Sequence, residues 1–105
     1  MYQINFKKPI HIHFIGIGGI SMSGLAEILL KEGFTVSGSD QKESPLTKQL
    51  TERGVRISYP QSAENIAPGT DAVVFTAAIH ENNPEYAAAK AAGIPPIPLP
   101  RRRAC

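Results

Sequence analysis

The residues best placed to do chemistry lie in one short run, Gly16-Ile17-Gly18-Gly19-Ile20-Ser21. A glycine at position 16 permits a tight bend that a Cβ would forbid. Glycines at 18 and 19 remove side chains where an anion must approach the main chain. If a helix opens here, its first N–H groups lack partners and point at that anion, aided by the helix dipole. Backbone donors then make the contact, and no lysine is needed. In the glycine pattern that binds diphosphates, a third glycine would stand where this chain has Ser21. The Ser21 hydroxyl can donate to a phosphate oxygen or serve as an ordinary helix cap. Gly24, one turn further, is positioned to allow close helix–sheet packing.

Asp40 ends the segment Ser37-Gly38-Ser39-Asp40, a little more than ~20 residues beyond the turn, where a carboxylate can accept from a ribose or base edge. It can equally cap a turn. His11 and His13 share one face of a strand, which suggests either a metal pair or a packed, hydrogen-bonded pair. With no cysteine or third ligand clustered nearby, the second reading is favoured. His80 follows a strand's C-terminal end, the ligand-binding edge of open parallel sheets. No stretch matches G-x-x-x-x-G-K-[ST], so the chain has no recognisable ATP phosphate loop.

These groups must be held by alternating strands and helices. Ile10 to Ile15 reads as a first strand. Met22, Leu25, Ile28 and Leu29 mark a helix from Ile20 to Glu32, with Glu27 and Lys31 one turn apart and Gly33 as its stop. Phe34 to Ser39 is a second strand. Ser44 and Pro45 open a helix running to Arg53, and Val55 to Tyr59 is a third strand. One helical turn is expected near Ala63 to Ile66. Asp71 to Thr76 has the continuous apolar run of a strand buried on both faces. Asn83 caps a last helix that begins at Pro84 and ends before Gly93. This order implies an α/β, Rossmann-like parallel sheet with core order 3-2-1-4 and flanking helices. Ile94 to Leu99 stands in the place of a fifth strand, but Pro95, Pro96 and Pro98 confine it to an edge or to no strand at all. The Pro95–Pro98 spacing also imitates a polyproline motif; an extended terminus is the simpler reading.

The 105 residues fit one domain. The formal charge of +2 comes from the tail: without Arg101, Arg102 and Arg103, 8 basic residues face 9 acidic ones. The body is near neutral, so no nucleic-acid surface is indicated. Cys105 is the single cysteine, which excludes an internal disulfide. No apolar run reaches the ~20 residues of a membrane span. Lys7 and Lys8 precede an apolar stretch, but His11 and His13 interrupt it as a signal peptide. A cytoplasmic protein with no membrane partner is expected.

His13-Phe14-Ile15-Gly16-Ile17-Gly18-Gly19-Ile20, continued by Met22-Ser23-Gly24-Leu25-Ala26-Glu27, resembles the N-terminal signature of the UDP-N-acetylmuramate–L-alanine ligases of the Mur ligase family. Val36-Ser37-Gly38-Ser39-Asp40, Thr76-Ala77-Ala78-Ile79-His80 and Asn83-Pro84-Glu85 sit where that family has similar segments, so the likeness covers about residues 9 to 94. It implies a peptidoglycan-synthesis enzyme of three domains. The first would hold the UDP part of UDP-N-acetylmuramate, the second ATP and magnesium, and the third would help bind the amino acid. The muramoyl carboxylate would be activated as an acyl phosphate and attacked by the amine of L-alanine. Carried onto this chain, Gly16, Gly18, Gly19, Ile20 and Ser21 would cradle the diphosphate. Asp40, with Ser39, would lie near the uridine, and Thr76, Ala77, Ala78 and His80 would form another wall.

Ser21 departs from the glycine usual in that family, and Pro60-Gln61 from a common Gly-His. The expected division is a UDP-sugar-binding domain over 1–94 and a Pro/Arg-rich tail over 95–105. On this expectation the chain lacks the ATPase and C-terminal domains and is inactive as a ligase by itself. A nicotinamide-dinucleotide domain of an oxidoreductase or regulator would use the same turn and Asp40. A non-functional fragment is the third reading.

Overall fold

The computed structural model describes residues 10–67, 69–76, 79 and 82–98. Its elements are β1 (His11–Ile15), α1 (Ile20–Lys31), β2 (Thr35–Ser39), α2 (Pro45–Glu52), β3 (Arg56–Ser58), a 3-10 turn (Ala63–Asn65), β4 (Ala72–Phe75), α3 (Pro84–Ala91) and β5 (Pro96–Pro98). The strands form one sheet in the order β3-β2-β1-β4-β5, and every pairing is parallel. The expected core order is present, with the fifth strand at the edge.

Alternation along the strands builds two unlike faces. Ile12 and Phe14 of β1, Val36 of β2 and Val74 of β4 pack with Met22 and Ala26 of α1 and Leu50 of α2. On the other face, Ile15 and Val73 lie with Ala89 of α3, flanked by Phe75 and Tyr86, whose rings meet edge to face at 5.0 Å. Beyond that patch the second face carries His11, His13, Ser37 and Ser39, and it is polar. A hydrophobic sheet centre with one polar flank is the frame that holds the site.

The helices start where their caps dictate. Ser44 Oγ accepts from the Thr47 N–H while Thr47 Oγ1 accepts from the Ser44 N–H, a reciprocal capping box ahead of α2. Asn83 Oδ1 accepts from the N–H groups of Glu85 and Tyr86 at the start of α3. On α1 the buried side chains are Met22, Ser23 and Ala26. Ile28 is 58% exposed, and a Cβ at Gly24 would meet nothing within 4 Å. Gly24 therefore does not mediate close packing on the sheet; the small side chains of Ser23 and Ala26 face inward instead. Glu27 pairs across to Arg53 at 3.2 Å, tying α1 to the end of α2.

Prolines in β5 are tolerated for a geometric reason. Alternate residues of a strand turn their backbone groups to opposite sides, and the Pro95 carbonyl accepts from the Val73 N–H at 3.1 Å. Ile97 then turns its N–H toward β4, while Pro96 and Pro98 turn their donorless nitrogens to the open edge. Among the described residues, no helix is long and apolar enough to cross a membrane.

Gly38 shows how closely the turn after β1 rests on β2. A Cβ there would stand 2.6 Å from Ile17 Cδ1 and 2.8 Å from Ile17 Cβ. The latter atom cannot swing aside. Gly38→Ala is expected to destabilise the fold by about 1–3 kcal/mol through overpacking, read as a lower thermal midpoint; an unchanged midpoint would refute the contact.

Candidate functional site

In this strand order, β1 and β4 are neighbours whose connections leave in opposite directions, and a crevice opens beyond their C-terminal ends. A cavity of about 570 Å³ occupies it, lined by residues that include Gly16, Gly19, Asp40, Gln61, Thr76 and Asn83.

The glycine turn hangs from the end of β2. Gly16 has φ +81°, a left-handed conformation that suits glycine. The N–H groups of Gly16 and Ile17 both donate to the Ser39 carbonyl at 2.9 Å. The Gly18 N–H donates to Asp40 Oδ2 at 2.8 Å, and Asp40 Oδ1 accepts from the Gln41 N–H at 2.8 Å. Asp40 thus caps this turn and also lines the cavity. A Cβ at Gly18 would collide with Asp40 Oδ2 and stand 3.1 Å from Thr47 Cγ2, so glycine at 18 makes room for the carboxylate.

Gly19 is the N-cap of α1, and no side chain caps that helix. Helix geometry leaves the N–H groups of Ile20, Ser21 and Met22 without i−4 carbonyls; the first such bond runs from the Ser23 N–H to the Gly19 carbonyl at 2.8 Å. The α1 terminus faces the cavity through Gly19 and Met22. A Cβ at Gly19 would make only ordinary contacts, 3.7 Å to Met22 Cγ and 3.8 Å to the Gly16 carbonyl.

Four residues expected at the site, Gly16, Gly19, Asp40 and Thr76, line the cavity together. Ile20 is 84% exposed and Ser21 is exposed beside it at the helix start, while Gly18 is engaged by Asp40. Ser39 is fully buried, its hydroxyl turned away to Glu85. Ala77, Ala78 and His80 lie outside the described residues. Gln41, Gln61 and Asn82 also line the cavity. Their signal in the sequence is faint: Gln41 follows Asp40, and Gln61 stands at the Pro60-Gln61 departure.

Behind the cavity sits a buried polar cluster. Glu85 is fully buried, and its Oε1 accepts from Ser39 Oγ at 2.6 Å and faces His13 Nε2 at 2.8 Å. Its Oε2 accepts from the Ser62 N–H at 3.0 Å and from Asn65 Nδ2 at 2.6 Å. Ser37 Oγ bridges His13 Nδ1 at 2.9 Å and His11 Nε2 at 2.7 Å. The two histidines are therefore a hydrogen-bonded pair through Ser37, and no group of three metal-ligating side chains exists among the described residues. Burial works to raise the Glu85 pKa, but hydrogen bonds from His13, Ser39 and Asn65, with the neighbouring imidazole's charge, hold it below the ordinary 4.5. Burial, then His13 and Arg56, lower the pKa of His11 against the pull of Asp71.

The model of the Mur ligase family, catalytic domain, matches residues 11–104. The UDP-N-acetylmuramate–L-alanine ligase of Agathobacter rectalis is 74% identical over 95 residues, 90% of this chain and 21% of that protein. That of Lachnospira eligens is 64% identical over the same shares. Among solved structures, the UDP-N-acetylmuramate-alanine ligase of Thermotoga maritima matches with a TM-score of 0.81 and 37% identity, over 85% of this chain and 20% of that one. The UDP-N-acetylmuramate:L-alanyl-gamma-D-glutamyl-meso-diaminopimelate ligase of Neisseria meningitides matches at 0.78 and 33%, over 87% of this chain and 29% of that one. The chain spans about a fifth of the length of the curated relatives it matches.

The buried cluster makes stability depend on acid. Because the Glu85 pKa is lowered in the fold, its contribution is complete above about pH 4.5 and is lost as pH falls through the folded value. Glu85→Gln should cost about 1–3 kcal/mol at neutral pH, since a buried donor loses its acceptor. It should also flatten the acid limb of denaturant-measured stability. The same acid slope in both proteins would show that Glu85 is not the group responsible.

Proposed function

The chain belongs to the Mur ligase family, and on that premise we propose that it holds the UDP portion of UDP-N-acetylmuramate for an ATP-dependent ligase that adds L-alanine in cytoplasmic peptidoglycan synthesis. One observation carries this reading. Of the three α-helices among the described residues, α2 and α3 are capped by Ser44 and Asn83, whereas α1 has no side-chain cap and its terminus faces the cavity. A diphosphate supplies the missing acceptors, and the helix dipole favours its charge.

On this reading the N–H groups of Ile20, Ser21 and Met22 donate to the diphosphate, and the exposed Ser21 hydroxyl adds a donor. Gly16 and Gly19 keep the approach clear. Asp40 has acceptor capacity left on both oxygens after its two backbone bonds, and it faces the uridine. Ser39 supports it from behind, through the carbonyl that holds the turn. Thr76 lines the cavity, and the family resemblance implies another wall formed by Thr76 with Ala77, Ala78 and His80. The chain's own share of the reaction is to bind and orient the nucleotide end of the substrate. ATP with magnesium supplies the phosphoryl group that activates the carboxylate. No ATP phosphate loop occurs in this sequence, so this reading assigns that chemistry to the segments of the relatives that the chain does not match.

Calorimetric titration with UDP-N-acetylmuramate, UDP and NAD tests the assignment. Both uridine compounds should bind more tightly than NAD; the reverse order would favour an oxidoreductase or regulator domain and sink this reading. Gly19→Ala separates binding from folding, because the added methyl fits the fold but stands at the helix entrance. It should weaken UDP at least ~10-fold, a loss of about 1.4 kcal/mol, while costing the fold less than about 1 kcal/mol.

A further inference from the structure

Gln41, Gln61 and Asn83 meet in the cavity lining, and their amides cannot be oriented independently. Asn83 is the N-cap of α3, so its Oδ1 is committed to the N–H groups of Glu85 at 2.9 Å and Tyr86 at 3.2 Å. The nitrogen of Asn83 must then face its neighbour, and it donates to Gln61 Oε1 at 2.9 Å. Gln41 Nε2 donates to the same oxygen at 3.3 Å. With its oxygen turned to two donors, Gln61 is left with its amide nitrogen as the end without a partner among the described residues. That nitrogen hangs over the glycine turn: a Cβ at Gly16 would stand 3.9 Å from it.

We propose that Gln61 is a specificity-determining residue of this site, donating an N–H to a phosphate oxygen of the bound nucleotide with a polarity imposed by Asn83. The inference rests on the UDP assignment above and adds a contact to it. Glutamine can present either end to a ligand, and the choice is normally left to the ligand. Here the choice is made before binding, because reversing Gln61 would set its nitrogen against the Asn83 nitrogen, which the α3 cap holds in place. The cap of α3 cannot release Asn83 without leaving helix N–H groups unpaired. The result is a preorganised donor on the side of the cavity facing the α1 terminus, so an anionic ligand is gripped from two sides. Ligands that present a donor at this point are rejected.

The test is a double-mutant cycle on the 105-residue chain, with UDP and uridine as probes and thermal unfolding as the control for folding. Gln61→Ala should weaken UDP about 10-fold, the scale of one hydrogen bond to a charged group. Gln61→Glu should weaken it further, because it sets a carboxylate against the phosphate. Asn83→Ser keeps a competent helix cap but removes the donor that orients Gln61, and it should cost UDP about 3-fold. In the Gln61→Ala background, Asn83→Ser should change nothing, a non-additivity that a merely structural role would not produce. Uridine should bind all variants alike. If Gln61→Ala melts early, Gln61→Met replaces it at similar length. A wild-type chain that fails to take up UDP overturns the UDP assignment itself. Wild-type binding that Gln61→Glu leaves unchanged, additive effects in the cycle, or equal losses for uridine overturn the Gln61 proposal alone.

Discussion

The buried carboxylate of Glu85 is the constraint on which the rest of this structure depends. A carboxylate with no exposure to water is tolerated only if its lone pairs are met by donors. Glu85 draws those donors from four places: His13 on β1, Ser39 at the end of β2, and Ser62 and Asn65 in the segment between β3 and β4. Each is thereby placed relative to α3, which carries Glu85. Ser39 transmits the constraint to the glycine turn, because its carbonyl accepts from both Gly16 and Ile17. Ser62 transmits it to the opposite side, because it follows Gln61 in the chain. One fully paired charge thus sets the spacing between the two sides of the cavity.

The glycines of the turn serve different ends. Gly16 supplies a left-handed bend, and the bare Cα of Gly18 admits the Asp40 carboxylate. Gly38, outside the turn, admits Ile17. Gly16 and Gly19 both line the cavity, and Gly19 is the one that stands at the uncapped start of α1. Most of this glycine-rich signal therefore concerns seating a turn on β2. One position concerns access to the helix terminus. This division fits a chain whose body is almost neutral apart from its arginine-rich end. On the proposed reading, attraction for an anion arises from the backbone and the helix dipole, so charged side chains need not surround the site.

Much of the fold was legible in the sequence because local rules and global packing agreed. Apolar runs set the strands, Ser44 and Asn83 capped the helices they preceded, and the prolines of β5 limited it to the edge. Helix periodicity misled at Ile28, which is exposed, because the seam of α1 is built from small residues, Ser23 and Ala26, that carry little hydrophobic signal. Gly24 pointed toward the sheet by analogy of spacing and in fact faces open space. Gly16, Gly19, Asp40 and Thr76 come together in the lining of one cavity because short motifs at strand ends converge in a parallel sheet. Glu85 was not legible in the sequence, since beside a helix cap it reads as an ordinary dipole partner. Its burial depends on donors up to 72 residues away in the chain. Gln61 gave only a faint signal, as part of the Pro60-Gln61 departure from a common Gly-His, because an amide has no direction until its neighbours impose one.

That last point joins fold and recognition in one tripeptide. Asn83 caps α3 with its oxygen, and this turns its nitrogen toward Gln61. Pro84 has no N–H to compete for the Asn83 oxygen, and its ring holds the first helical residue in place. Glu85 donates its own N–H to Asn83 and sends its carboxylate inward to the cluster behind the cavity. The three neighbours therefore set the start of a helix, the polarity of a cavity amide and the position of the buried charge. A change at any one would be felt by the other two through shared atoms, not through distance. Stability and ligand preference are linked at Asn83, because the amide that starts α3 with its oxygen orients Gln61 with its nitrogen.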